Sequence, residues 1–96
     1  LKIMNYINNE NVLSILSIGD WTVSEHSMSG TIEWSNPKYS SVVYATPNWE
    51  DGGTTPVAIS YEDGDYDNII EFDLTGSISE QLNQYETIVK SVLTNI

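Results

Sequence analysis

The chain carries two hydrophobic rhythms: a period of three to four residues near either end, and a period of two between them. Residues 1–7 alternate weakly, as an edge strand or a loose end would. Over 9–18, Glu10, Ser14 and Ser17 fall at i, i+4, i+7 as one polar stripe. Val12, Leu13, Ile15 and Leu16 fill the opposite face, which predicts a short amphipathic helix. Asn8 or Asn9 is suited to cap its start, and Gly19 suits the left-handed position just beyond its end.

From Asp20 the period becomes two. Trp21–Glu25 alternates, Ser27-Met28-Ser29-Gly30 reads as a turn, and Thr31–Trp34 resumes the alternation. Asn36-Pro37-Lys38 makes a second turn before a third strand over Ser41–Ala45. Segment 47–56 is rich in Gly, Pro and Asn and predicts an irregular loop. Asp63-Gly64 signals a hairpin, since both residues tolerate positive φ. A two-residue turn there pairs Tyr61 with Tyr66, Ile59 with Asn68 and Val57 with Ile70. A four-residue loop shifts that pairing by two and preserves the faces: apolar residues on one, Ser60, Glu62, Asp65 and Asp67 on the other.

At the C-terminus, Ser77-Ile78-Ser79-Glu80 has the form of a capping box. Leu82, Tyr85, Val89, Val92 and Ile96 follow as a narrow apolar stripe, best explained by packing on the sheet, which needs a cover for its apolar face. The expected architecture is α+β: one domain over 1–96, with an antiparallel meander of four to five strands, a short N-terminal helix and a longer C-terminal helix packed on the sheet. Trp21 and Trp34, both on strands, are assigned to the core.

Charge narrows the function classes. Fourteen carboxylates face three lysines (Lys2, Lys38, Lys90), arginine is absent, and the formal net charge is -11. Such a field repels nucleic acid and anionic membranes, whose binding needs a positive patch that releases counterions, and it attracts basic proteins. Solvation alone also accounts for an acidic surface. There is no cysteine, which removes disulfides, thiolate metal sites and thiol nucleophiles together. No apolar stretch approaches the ~20 residues of a membrane span, and no leader-like segment stands at the start. The expectation is a soluble protein of the cytoplasm.

Candidate chemistry is sparse. Asp63, Asp65 and Asp67 have the alternate spacing that opens an EF-hand loop. Asn68 stands where the glycine belongs, however, and Leu74 where the bidentate glutamate belongs, so no calcium site follows. His26 is the single histidine, placed at a strand end without a nucleophile elbow or an oxyanion turn. No phosphate loop or dinucleotide fingerprint is present. Neither cofactor nor catalysis is expected. Trp49 beside Glu50 and Asp51 in the Gly-rich loop has the make-up of a protein-binding anchor, with aromatic area for affinity and charge for steering. Together with Glu62, Asp63, Asp65 and Asp67 it forms the expected partner-binding set. The expected partner is a basic protein surface, engaged as by the small acidic nucleic-acid mimics that phages direct against host enzymes. The alternatives are self-association, through the C-terminal stripe or sheet edges, and a small enzyme.

Overall fold

The computed structural model describes residues 6–28, 30–39, 42–47, 57–61 and 69–95, with backbone alone for 57–61 and 69–71. Helix α1 (Asn9–Leu13) opens with a reciprocal capping box. The Asn8 side chain accepts from the Asn11 N–H at 3.0 Å, and the Asn11 side chain from the Asn8 N–H at 2.9 Å. The helix stops well short of residue 18, which corrects the sequence expectation. The Ser17 N–H donates to the Ile15 carbonyl at 2.8 Å across Leu16, whose φ is 69°, a tight γ-turn of the rare, strained kind. The chain then enters β1 (Ser17–Ile18), pairs with β2 (Trp21–Glu25) across Gly19-Asp20, and buries Ile18 beside Trp21. A five-residue helix has little stability of its own, and serine adds little, so strand pairing and burial win. Gly19 is left-handed as expected (φ 61°), but as the first residue of a hairpin turn and not as a helix cap.

Four more strands follow: β3 (Ile32–Ser35), β4 (Val43–Thr46), β5 (Val57–Tyr61) and β6 (Ile69–Phe72). All neighbours are antiparallel, and the spatial order β1-β2-β3-β4-β5-β6 is a pure meander. Between β5 and β6, Val57 faces Phe72 and Ile59 faces Ile70. That is the register of the longer loop, offset by two from a tight Asp63-Gly64 turn. The face assignments of those side chains lie outside the described residues.

The register sorts the sheet into two faces. Val23 opposes Trp34, and Trp34 opposes Val43, so alternation puts Trp21, Val23, Ile32, Trp34, Val43 and Ala45 on one face. Helix α2 (Ile78–Thr94) covers that face. It begins with the expected capping box, Ser77 and Glu80 exchanging hydrogen bonds of 3.1 Å. Its buried line is Gln81, Tyr85, Val89 and Leu93, while Leu82 and Val92 of the expected stripe are half-buried on a flank and Ile96 lies outside the described residues. The contact line is thus rotated slightly from the apolar stripe. Gln81 can sit in it because its amide is bonded at both ends: its oxygen accepts from the Ile7 N–H at 3.2 Å and its nitrogen donates to the Gly76 carbonyl at 2.9 Å.

Candidate interaction surface

Helix and sheet are tied at the centre by a short polar chain. The Trp34 indole N–H donates to the Tyr85 hydroxyl at 3.1 Å, and that hydroxyl donates to the Ala45 carbonyl at 2.6 Å. Trp34, Tyr85 and Ala45 are completely buried. Burial pushes the Tyr85 phenol far above its ordinary value, against a smaller opposing effect of the Trp34 hydrogen bond. With donor and acceptor both satisfied, this chain is a strut and offers nothing to a ligand.

A second tryptophan–tyrosine pair lies at one end of the sheet. Asn36, Pro37, Lys38 and Tyr39 form a turn in which the Tyr39 N–H donates to the Asn36 carbonyl at 3.0 Å. Pro37 pre-sets the backbone at the second position. The Asn36 side-chain oxygen accepts from the Lys38 N–H at 2.9 Å, which fixes the turn from inside. The turn lays Tyr39 on Trp21, with ring centroids 5.4 Å apart and planes 9° from parallel. Trp21 is 6% exposed beneath it, while Tyr39 remains 45% exposed. Asp20, in the neighbouring β1–β2 turn, faces Lys38 at 3.8 Å; the two side chains are 76% and 75% exposed. An ion pair this long and this wet contributes little.

The expected partner-binding residues Trp49, Glu50, Asp51, Glu62, Asp63, Asp65 and Asp67 all lie outside the described residues. Their attachment points are described. Segment 48–56 enters β5 at Val57, and segment 62–68 leaves it at Tyr61. The two groups are therefore anchored at opposite ends of one strand, about 14 Å apart at ~3.4 Å per residue. The meander also puts the 62–68 attachment at the same end of the sheet as the Asp20 and Tyr39 turns.

Carboxylates populate the described surface broadly. Glu10, Asp20, Glu25, Asp73, Glu80 and Glu86 are exposed, and Glu33 is half-buried. The Glu80 carboxyl is held below the usual carboxylate range by the Ser77 backbone N–H first and by the Ser77 hydroxyl second. His26 is half-buried at the β2–β3 turn, where its backbone N–H donates to the Thr31 carbonyl at 2.8 Å. Among the described residues, no three histidine or carboxylate side chains converge as a metal site requires, and no helix is long and apolar enough to cross a membrane. An open depression of about 350 Å³ runs along Asn83, Gln84, Thr87 and Ile88, and none of these described residues is titratable.

Comparison with known proteins found no matching family model, no matching curated protein and no matching solved structure. The functional reading therefore rests on these residues alone.

Sequence reasoning recognised the Asn36-Pro37-Lys38 turn but not what it carries. The available signal was a tyrosine directly after an Asn-Pro turn, opposite a tryptophan that follows a Gly-Asp turn.

Proposed function

We propose that this chain is a non-catalytic binding protein that engages a basic protein surface, in the manner of a nucleic-acid mimic or inhibitor. The observation that carries the reading is the charge: -11 over 96 residues, with three lysines and no arginine to neutralise fourteen carboxylates internally. The exposed positions of Glu10, Asp20, Glu25, Asp73, Glu80 and Glu86 support it, because charges at the surface act on an approaching partner. Duplex DNA carries one charge per ~1.7 Å of axis, and carboxylates spaced along a sheet and its turns imitate part of that array.

The test is capture of partners from lysate on the immobilised protein at low and moderate salt, with duplex DNA as competitor. The reading expects a basic nucleic-acid-binding protein, released both by salt and by DNA. Binding that survives salt and ignores DNA overturns the mimic. Recovery of the chain alone favours self-assembly, for which the open meander offers β1 and β6 as its outer strands.

A further inference from the structure

We propose that Tyr39, stacked on Trp21 beside Asp20, is a seat for an arginine side chain of the basic partner. The proposal rests on the reading above and names the chemistry by which that partner is held. Three observations converge on the corner. Tyr39 has one ring face against Trp21 and, as a residue, is still 45% exposed, so it is accessible to a flat group from solvent. Asp20 stands beside the stack, 76% exposed, and its contact with Lys38 at 3.8 Å is loose enough to be exchanged. The Asn36–Tyr39 turn is braced by two hydrogen bonds and Pro37, so the ring is placed before any ligand arrives.

A guanidinium matches this arrangement better than an ammonium does. It is planar, it stacks on aromatic faces, and its fork of N–H donors meets a carboxylate in two parallel hydrogen bonds. The chain contains no arginine, so neither its own residues nor a second copy can fill the seat. Lys38 is the local competitor: it holds Asp20 in the free protein and yields it on binding. A nucleobase would also stack, but it brings phosphates into a strongly negative field.

The experiment is an NMR titration of the whole chain with tri-arginine and, separately, tri-lysine peptide, following the Trp21 indole N–H and the Tyr39 amide. The expected result is movement of both signals, with tri-arginine bound about two- to fivefold more tightly than tri-lysine at this corner. Tyr39→Phe keeps that preference and Tyr39→Leu abolishes it. Asp20→Asn weakens tri-arginine at the corner, and it stands as the independent variant if Tyr39→Leu fails to fold. Lys38→Gln tightens tri-arginine more than Lys90→Gln, which removes the same charge from the helix. If tri-arginine moves other signals but not these two, or if Tyr39→Leu weakens both peptides equally, the seat is overturned and the basic-partner reading stands. If neither peptide moves any signal at low salt, the basic-partner reading falls, and the seat with it.

Discussion

Among the described residues, two tryptophan–tyrosine pairs are built on opposite principles. Trp34 and Tyr85 meet in the middle of the core, joined by an N–H···O bond that continues to the Ala45 carbonyl. Trp21 and Tyr39 meet at the end of the sheet face to face, and no described hydrogen bond joins them. In the first pair the polar atoms must be satisfied because water is excluded, and this ties α2 to β3 and β4. In the second, the tryptophan is buried and the tyrosine is not, so the pair has a wet side. The same two residue types make a strut in one place and a surface in the other. What separates them is where the second partner comes from: a helix laid over the sheet, or a turn at its rim.

The largest effect is expected at Tyr85. Tyr85→Ala is expected to cost about 3–5 kcal/mol in denaturant-unfolding stability, as for other large buried aromatics. A cost below 1 kcal/mol would show that the helix is not held there. Tyr85→Phe keeps the ring but leaves the Trp34 N–H buried without its acceptor, for an expected cost of about 1–3 kcal/mol. Tyr39→Phe at the wet pair should stay within about 0.5 kcal/mol of the parent. Equal effects of the two Phe variants would erase the distinction.

Alkaline pH sharpens it further. The folded state raises the Tyr85 pKa, so above the ordinary tyrosine value of about 10 the unfolded chain releases a proton that the folded chain keeps. Stability from this group is complete below about pH 10 and falls by roughly 1.4 kcal/mol per pH unit above it. Denaturant midpoints between pH 9 and 11 should drop more steeply for the parent than for Tyr85→Phe. At the rim, Asn36→Ala removes a brace of the turn and should cost about 1 kcal/mol. It should also loosen the Tyr39 ring, read as a loss of ring-current shift at the Trp21 indole. An unchanged shift would mean that the turn does not hold the stack.

Much of the fold was legible locally. The Ser77–Glu80 capping box, the period of two in Trp21–Glu25 and the Asn36-Pro37 turn are encoded within a few residues, and each appears where the pattern put it. The N-terminal helix was over-extended because the stripe from Glu10 to Ser17 contains no sign of the competing partner, β2, which claims Ser17 and Ile18. Gln81 was invisible as a buried residue for the same reason: one of its partners, Ile7, lies 74 residues away along the chain. Of the binding surface, the sequence supplied the acidic character and the seven expected residues in 48–67, which lie outside the described segments. It did not supply the Trp21–Tyr39 corner, because the two residues are neighbours only once β2 and β3 are paired.

The strands from Trp21 to Ala45, the capped C-terminal helix and the charge follow from the sequence, since periodicity, turn chemistry and net charge are properties of short stretches or of simple sums. Trp21 and Trp34 were equally apolar strand residues at that level. Only the tertiary structure decided that one would be covered by a helix carrying a hydroxyl and the other by a half-exposed ring. That choice depends on strand register and on where α2 lies over the sheet, and neither is written in any local window.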